Sequence, residues 1–242
     1  MKYLDCTLPT PAENLALDEA LALQCDQGGP EVLRFWEPVE IFVVAGFSNQ
    51  VEREVNLSAC EAAHIPVFRR ISGGGTVLQG PGCLNYALVL RCDSHPDLLS
   101  VTGANRHIMA RNARALSRLT GREVTVCGHT DLAIGDRKIS GNAQRRLKNS
   151  LLFHGVLLLG LDLSLLARCL KFPSRPPDYR AGRSHESFVH NLGLPAPAVK
   201  NALRAEWGVL ASPPPVPLAT VTGLCRQKYN RPEWNQRGPW GG

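Results

Sequence analysis

Three consecutive glycines preceded by two arginines form the stretch of this sequence best suited to bind an anion. The stretch reads Arg69-Arg70-Ile71-Ser72-Gly73-Gly74-Gly75-Thr76-Val77. A ligand can approach glycine amides closely because no Cβ is in the way, and arginines add permanent charge with forked donors. The spacing fits neither the G-x-G-x-x-G dinucleotide fingerprint nor a P-loop, which needs Lys and Ser/Thr after its last glycine. Taken alone, the stretch is equally compatible with a glycine-rich turn flanked by surface arginines.

A lysine beside a tight turn is the second candidate for chemistry. Two β-capable runs, 131–134 and 137–140, flank the dipeptide Gly135-Asp136. A two-residue Gly-x loop between such runs predicts a β-hairpin, because glycine supplies the positive φ that a type II′ turn requires. Lys138 then lies just past the turn, followed by the small and polar residues expected beside a ligand. Taken alone, a lysine near a turn is usually only solvated, and that alternative stays open here.

The remaining pattern predicts the elements that position these groups. Thr10 or Asn14 can cap a helix that runs through Leu21, with leucines and alanines at helical spacing. Strands are predicted at 32–36, 41–45, 67–70, 84–91, 123–127 and 151–159, and further helices at 105–119, 163–170 and 198–207. Because several strands follow one another directly in sequence, we expect an α+β domain rather than a doubly wound sheet.

Composition narrows the class of protein. The 242 residues carry a formal charge of +6, and the hydrophobic share of 44% excludes a disordered chain. The longest nearly apolar run, 151–161, is interrupted by His154 and Gly155 and is shorter than the ~20 residues of a membrane span. The N-terminal stretch lacks the apolar core of a secretory signal, so we expect a cytoplasmic protein without membrane contact. The eight cysteines form no C-x-x-C pair, which argues against a zinc ribbon, a redox motif or a disulfide framework, and predicts no metal site.

Taken together, the two segments resemble the lipoate-protein ligase A family, within the wider group of biotin and lipoate ligases and octanoyl transferases. The family patterns match the glycine stretch Arg69 to Val77, the hairpin Asp131 to Ala143, and a His-Gly-x-Leu-Leu strand at His154 to Leu158. Two further stretches, 14–19 and 43–50, look similar. The resemblance covers roughly residues 1–210. It implies a biotin/lipoate-ligase-like catalytic domain with mixed, largely antiparallel sheets flanked by helices.

The resemblance also implies an activity. Family ligases use ATP and Mg²⁺ to activate lipoate as lipoyl-AMP, then pass the lipoyl group to a lysine of a lipoyl-domain carrier, such as the E2 of a 2-oxoacid dehydrogenase or the glycine cleavage H protein. Lys138 would be the family's catalytic lysine, which contacts both the adenylate phosphate and the acyl carbonyl. A fixed cation there reduces the repulsion between the lipoate carboxylate and the α-phosphate. The binding residues carried over from the family are Arg70, Ser72, Gly73, Gly74, Gly75, Thr76, Val77, Asn85, Gly141 and Asn142. His154 is either a participant or a hydrogen-bonded structural residue.

The end of the chain departs from many family ligases. We expect residues 1–210 to form the catalytic domain, and residues 211–242 to form a proline-rich linker and tail without an accessory domain. Such a domain assists adenylation in many ligases, so either a separate accessory subunit supplies it or this enzyme does not adenylate. The alternative is an octanoyl (lipoyl) transferase that uses a cysteine thioester without ATP. Cys127, which ends the strand before the hairpin, is the candidate nucleophile in that case, with Cys169 second.

Two further hypotheses concern surfaces. The positive charge and several arginine clusters would suit a nucleic-acid-binding module, but neither a helix-turn-helix nor an RNP motif can be identified, so no nucleic-acid partner is expected. A basic surface also fits the acidic surface expected of lipoyl domains. The segment 172–190 has enough polar groups to form a flap over the site. Those groups are Tyr179, Arg180, Arg183 and His185.

Overall fold

A computed structural model describes residues 1–209 and 213–237 of the chain. The strands in these ranges are β1 (Lys2–Asp5), β2 (Val32–Trp36), β3 (Phe42–Ala45), β4 (Val67–Arg69), β5 (Val77–Gln79), β6 (Cys83–Arg91), β7 (Val124–Cys127), β8 (Asp131–Ile134), β9 (Arg137–Arg146) and β10 (Ser150–Leu158). The α-helices are α1 (Pro11–Asp26), α2 (Val51–Glu54), α3 (Leu57–Ala62), α4 (Val101–Thr120), α5 (Ser164–Cys169), α6 (His185–Phe188), α7 (Ala196–Trp207) and α8 (Leu218–Leu224). Each of the six predicted strands is confirmed to within one residue at both ends.

The strands form two sheets. The larger has the order β1-β2-β6-β10-β9-β8-β7, and the smaller has the order β4-β3-β5. Pairing is parallel at β1–β2 and β3–β4 and antiparallel elsewhere. Such pairing, with helices packed on the sheets, confirms the predicted α+β class. Strands β6 and β10 are apolar along most of their length because both of their faces are covered.

Helix α1 begins where the sequence indicates. The Thr10 hydroxyl accepts from the Glu13 amide and the Glu13 carboxylate accepts from the Thr10 amide, which together form a capping box. Pro11 suits the first helical position because its missing N–H would have no helical partner. The helix extends beyond the predicted Leu21 to Asp26, and most of its side chains are buried.

Three apolar clusters hold the elements together. Helices α4 and α7 cover one face of the large sheet, and α1 with the C-terminal segment covers the other. The third cluster joins the small sheet to the end of β10 and to helices α5 and α6. Burial of a leucine such as Leu88, which is fully buried, contributes about 1.5–3 kcal/mol. Strand β10, which carries His154, therefore lies between the two larger clusters and is rigidly supported.

The C-terminal segment packs against the domain. After α8, two π-helical segments, Cys225–Tyr229 and Glu233–Arg237, lie against α1 and β4. Tyr229 is fully buried, and its hydroxyl donates to Glu19 over 2.6 Å. The predicted linker and tail thus include segments that contribute to the core. The boundary expected at 210 and the last residues, 238–242, lie outside the described residues. None of the helices in the described residues is long and apolar enough to cross a membrane.

Candidate active site

The predicted hairpin presents Lys138 at the site. Strands β8 and β9 meet at Gly135 and Asp136, where Ile134 pairs with Arg137 and Gly135 has a φ of +60°. The Lys138 ammonium lies 2.8 Å from an Asp131 carboxylate oxygen, and its side chain is 23% exposed. The cation is therefore held in place by a partner on the neighbouring strand while it stays accessible to a ligand.

Gly141 leaves the space that the Lys138 side chain occupies. A Cβ at position 141 would lie 2.9 Å from Lys138 Nζ and 3.0 Å from its Cε. A β-bulge at Leu132 and Ala133 puts Gly141 opposite Asp131, so the lysine crosses the glycine to reach the acid. Gly141, predicted as a binding residue, lies against the Lys138 side chain and makes room for it.

A tyrosine occupies the second oxygen of Asp131. The Tyr179 hydroxyl donates to Asp131 Oδ2 over 2.8 Å. Burial and the neighbouring carboxylate raise the pKa of Tyr179, so the phenol stays neutral and keeps its proton for this hydrogen bond. Asp131 is thereby fixed by two groups, one from the hairpin and one from the segment expected to act as a flap.

The segment 172–190 lies along the hairpin. The His190 amide donates to the Lys138 carbonyl over 2.8 Å, and Lys138 forms a parallel bridge with Val189. The Arg137 guanidinium donates to the Val189 carbonyl over 2.9 Å. These contacts place the segment beside the site, where its use as a flap stays a prediction.

The glycine stretch forms a loop after β4, with unpaired amides. Gly74 has a φ of +85°, a conformation that side chains rarely adopt. The amides of Gly73, Gly74 and Gly75 have no hydrogen-bond partner within residues 1–209 and 213–237. A Cβ at Gly73 or Gly75 would meet only open space. Three adjacent free donors suit a phosphate or carboxylate.

Arg70 supports the loop from behind. Its Nη2 donates to the carbonyls of Gly73 and Gly75 over 2.6 and 2.8 Å, and its Nε donates to the Ser72 hydroxyl over 3.1 Å. Burial and the adjacent Arg69 lower the pKa of Arg70 to about 10, which leaves it charged at neutral pH. Arg70 therefore engages the loop carbonyls and leaves the amides free for a ligand.

The prediction that both arginines add charge to the loop is wrong for Arg69. Its side chain is fully buried, and Nη1 donates to the carbonyls of Gly46, Phe47 and Asn49. Its Nε donates to the Trp234 carbonyl over 2.9 Å. A buried guanidinium is stable only when its donors are satisfied, and these carbonyls satisfy them. Arg69 ties the neighbouring loop to the C-terminal segment.

The loop and the lysine meet at strand β9. A Cβ at Gly74 would lie 3.6 Å from Cβ of Ala143, which follows Lys138 by five residues on that strand. Thr76 and Val77 continue from the loop into β5, where Asn49 donates to the Thr76 hydroxyl over 3.4 Å. The glycine loop thus packs against the strand that carries Lys138.

Ser72 and the two predicted asparagines are engaged within the protein. Ser72 is fully buried, and its Oγ lies 2.5 Å from His154 Nε2. The amide of Asn85 on β6 pairs reciprocally with that of Gln79, at 2.9 Å in both directions. Asn142 lies over the Cα of Gly155. Its Oδ1 accepts from the Tyr86 hydroxyl over 2.6 Å and from the Ser140 hydroxyl over 3.3 Å, and its Nδ2 donates to the Thr130 carbonyl over 2.6 Å. These side chains shape the site from within.

The sequence of this chain is similar to those of known enzymes. A family profile described as "Lipoyl protein ligase A/B catalytic domain" matches residues 10–201. The chain belongs to this family. A "Putative lipoate-protein ligase A" of Aeropyrum pernix is 34% identical over 68% of this chain, a match that spans 60% of that protein. An "Octanoyltransferase LipM" of Geobacillus kaustophilus is 29% identical over 97% of both chains. The resemblance read from the motifs is confirmed, and the relatives are enzymes of both kinds.

Solved structures agree with the fold of a lipoyl ligase catalytic domain. A chain from a bi-partite lipoate protein ligase of Thermoplasma acidophilum, solved in a study that includes its E2 lipoyl domain, has a TM-score of 0.83 and 25% identity, covering 97% of this chain and 95% of that one. A lipoate-protein ligase A bound with ATP has a TM-score of 0.83 and 25% identity, covering 98% and 99%. The similar proteins therefore include an ATP-bound ligase and a two-part ligase system.

The two candidate nucleophiles of the transferase class lie in different surroundings. Cys127 is half-buried, directly opposite Asp131 in the β7–β8 ladder, and its sulfur lies 3.7 Å from the Thr125 hydroxyl. Cys169 is fully buried at the end of α5, and burial raises the pKa of its thiol. A nucleophilic thiol needs a neighbouring cation and access to substrate. Cys127 is near the hairpin, but within the described residues its sulfur contacts the Thr125 hydroxyl and no cation, whereas Cys169 is fully buried.

A separate cluster has the composition of a metal site. Donor atoms of His95, Asp97 and His107 lie within 4.8 Å of one another. However, His95 Nδ1 accepts a hydrogen bond from the Asp97 backbone amide over 3.2 Å, and the Arg106 guanidinium lies 3.4 Å from the Asp97 oxygen Oδ1. The His95–Asp97 hydrogen bond caps the short turn Pro96–Leu99, which precedes α4 and is separate from the strands that carry Lys138 and Asp131.

Sequence reasoning missed Asp131 and Gly155 as site residues. A signal for Asp131 was present, because a two-residue turn pairs Ala133 with Lys138 and puts positions 131, 133 and 138 on one face of the hairpin. No local signal could identify Gly155. A Cβ there would lie 1.7 Å from Asn142 Oδ1, a contact that depends on the pairing of two strands.

Proposed function

We propose that this chain is a lipoate-protein ligase, which activates lipoate with ATP and transfers the lipoyl group to a lysine of a lipoyl-domain carrier protein. The observation that carries the proposal is that strand β9, which carries Lys138, packs at Ala143 against a loop whose amides at Gly73, Gly74 and Gly75 are free. One fixed cation and three donors match the charge that develops on an α-phosphate. The proposed reaction takes place in the cytoplasm, where ATP is available.

The first half-reaction would form lipoyl-AMP. A lipoate carboxylate oxygen attacks the α-phosphorus of ATP, the new O–P bond forms, and the bond to pyrophosphate breaks. The Lys138 ammonium donates to the phosphate as charge builds up, and the glycine amides hold the anion without reorganising. Mg²⁺ enters with ATP as part of the substrate and neutralises its phosphate charge.

The second half-reaction would use the same lysine. The amine of the acceptor lysine attacks the acyl carbonyl, AMP leaves with the electron pair of the broken C–O bond, and the amine loses a proton to solvent. The Lys138 ammonium stabilises the developing oxyanion on the carbonyl. Asp131 and Tyr179 keep that ammonium at one position through both steps, so no rearrangement of the cation is needed.

The proposed partners follow from the same reaction. The carriers are lipoyl domains, such as those of a 2-oxoacid dehydrogenase E2 or a glycine cleavage H protein, and a separate accessory subunit assists adenylation. The bi-partite ligase of Thermoplasma acidophilum, a similar chain at 25% identity, supports both proposals. Neither nucleic acid nor a membrane is a proposed partner.

Octanoyl transfer is the second candidate function. The octanoyltransferase of Geobacillus kaustophilus matches 97% of both chains, which favours this alternative by its coverage. In that reaction Cys127 would form an acyl thioester and pass the acyl group on without ATP. Cys127 is the weaker proposal because, within the described residues, its sulfur contacts the Thr125 hydroxyl and no cation that would activate it as a nucleophile.

Intact-mass spectrometry of the protein and a lipoyl-domain acceptor tests the proposal with three donors. The first reaction contains lipoate and Mg-ATP, the second contains synthetic lipoyl-AMP, and the third contains octanoyl carrier protein without ATP. We expect the acceptor to gain a lipoyl group from lipoyl-AMP. A gain with lipoate and Mg-ATP identifies a ligase that acts alone, and a gain from lipoyl-AMP only identifies one that needs the accessory subunit.

The third reaction decides the alternative. An octanoyl adduct on the protein, passed to the acceptor without ATP, would overturn the ligase proposal, and so would failure to use lipoyl-AMP. The matched variant is Cys127→Ser, which should lose the adduct if the transferase reaction operates and should keep lipoyl transfer if the ligase reaction does.

A further inference from the structure

Residues 14–19, one of the stretches that look similar to the family, provide two side chains that accept hydrogen bonds from a buried arginine. Asn14 and Asp18 are one helical turn apart on α1, and both face Arg34 on β2. All five guanidinium donors of Arg34 are used; their acceptors are Asp18 Oδ1 at 2.5 Å, the Asn14 carbonyl and side-chain oxygens at 2.8 and 2.7 Å, and the Cys6 carbonyl at 3.0 and 3.3 Å. Burial opposes ionisation of Asp18, but Arg34 and His154 outweigh it and lower its pKa. Asp18 is therefore a fixed carboxylate.

His154 connects this carboxylate to the glycine loop. Its Nδ1 lies 3.4 Å from Asp18 Oδ2, and its Nε2 lies 2.5 Å from Ser72 Oγ. An ionised carboxylate only accepts, so Nδ1 carries the proton directed at Asp18, and Nε2 is the ring nitrogen that pairs with the Ser72 hydroxyl. The Ser72 oxygen in turn accepts from Arg70 Nε. Each side chain in this series is therefore held in its orientation by the hydrogen bond with the side chain before it.

This series of hydrogen bonds ends at the glycine loop, whose free amides could bind an anion. Arg70, oriented by Ser72, holds the carbonyls of Gly73 and Gly75. The loop has few other supports of its own, since its glycines restrict the backbone least. One of them is the bond from the Phe47 amide to the Ser72 carbonyl, at 2.8 Å. Hydrogen bonds in a low-dielectric interior are strong and strengthen one another.

We propose that Asp18 and His154 are positioning residues, which fix Ser72 and Arg70 so that the glycine loop keeps its free amides ready for the adenylate phosphate. The order Ser-His-Asp also occurs in hydrolases, where the serine attacks substrate. Ser72 is fully buried and its oxygen already accepts from Arg70, so here the three residues hold a loop rather than supply a nucleophile. This inference rests on the proposed ligase function for its ligand.

The test measures binding of a nonhydrolysable lipoyl-AMP analogue, a lipoyl sulfamoyl-adenosine, by calorimetry, together with KM and kcat for transfer from lipoyl-AMP. The variant His154→Asn keeps a donor toward Asp18 and loses the contact with Ser72. His154→Gln keeps an acceptor near Ser72 and loses the contact with Asp18. The matched control is His64→Asn, at an exposed position with a φ of 54° that asparagine tolerates.

We expect His154→Asn to weaken binding of the analogue by about 10- to 100-fold and to raise KM in proportion, with kcat less affected. Ser72→Ala should produce a similar loss of affinity. The double variant should bind the analogue no more weakly than either single variant, because both changes break the same series of hydrogen bonds. His154→Gln should recover part of the affinity. His64→Asn should bind like the wild type.

Independent, additive losses in the double variant, or unchanged affinity in His154→Asn, would overturn the positioning role. Failure of the wild-type protein to bind the analogue would instead refute the ligase proposal, so the two failures are distinguishable. If His154→Asn does not fold, Ser72→Ala carries the test, since it removes only a hydroxyl. Affinity equal to the wild type in that variant would then count against the proposal.

Discussion

Replacing Gly141 with alanine should displace Lys138, the proposed catalytic lysine, without disturbing the fold. The added Cβ would lie 3.0 Å from Lys138 Cε and 2.9 Å from Nζ, whereas carbon atoms in contact lie about 3.5–4.0 Å apart. The end of the lysine must therefore move by about 0.5–1 Å, out of its 2.8 Å contact with Asp131. A misplacement of about 1 Å at a catalytic group can cost about 100-fold, so we expect the rate of lipoyl transfer to fall by about 10- to 100-fold.

The assay is single-turnover transfer from lipoyl-AMP to a lipoyl-domain acceptor, measured by intact mass, beside thermal unfolding of the same samples. Gly160→Ala is the matched control, because a Cβ at Gly160 meets nothing within 4 Å. The melting temperature of Gly141→Ala should stay close to that of the wild type, since the group that must move is the end of a flexible side chain. Transfer at the wild-type rate, or a rate loss explained by unfolding, would refute the reasoning.

Other substitutions test separate parts of the structure. Cys127→Ser and Cys169→Ser should keep lipoyl transfer from lipoyl-AMP to the acceptor, and loss of transfer in Cys127→Ser would instead favour a thioester. Gly46→Ala should weaken binding of the lipoyl-AMP analogue in calorimetry, because its Cβ would lie 2.1 Å from the Gly74 carbonyl oxygen and would push the loop; unchanged affinity would contradict this. Burial opposes ionisation of Glu206, but hydrogen bonds from two arginines outweigh this effect and lower the pKa of Glu206. The ionised carboxylate therefore stabilises the folded state above the ordinary carboxyl pKa, and this stabilisation is lost as the pH falls through the lowered pKa of the folded state. Unfolding free energies of wild type and Glu206→Gln should therefore converge as the pH falls below the ordinary carboxyl pKa, and a constant difference would be inconsistent with this ion pairing.

Local signals predicted the hairpin and the strand bounds. The Gly135-Asp136 turn fixes the pairing of its flanking residues, and each strand is bounded by residues that favour turns. By contrast, β1, α2, α3, α6 and α8 were not predicted. Four of these elements have four to six residues and α8 has seven, lengths at which contacts with the rest of the fold decide the conformation.

The roles of single side chains were harder to predict, because they depend on distant partners. Arg69 looks like a ligand-binding group from its neighbours in sequence, yet its Nε contacts the Trp234 carbonyl, 165 residues away. Asn142 looks equally available until β9 and β10 pair and place it over Gly155. The sequence pattern thus indicates the candidate site, whereas the assignment of donors within it requires the tertiary structure.

The central claim is that Lys138 binds the adenylate, and calorimetry with the lipoyl sulfamoyl-adenosine analogue tests it most directly, since it needs neither an acceptor nor an accessory subunit. We expect the wild-type protein to bind the analogue and Lys138→Ala to bind it about 100- to 1,000-fold more weakly, the range for removal of one preorganised donor. Equal affinity of the two proteins would contradict the account.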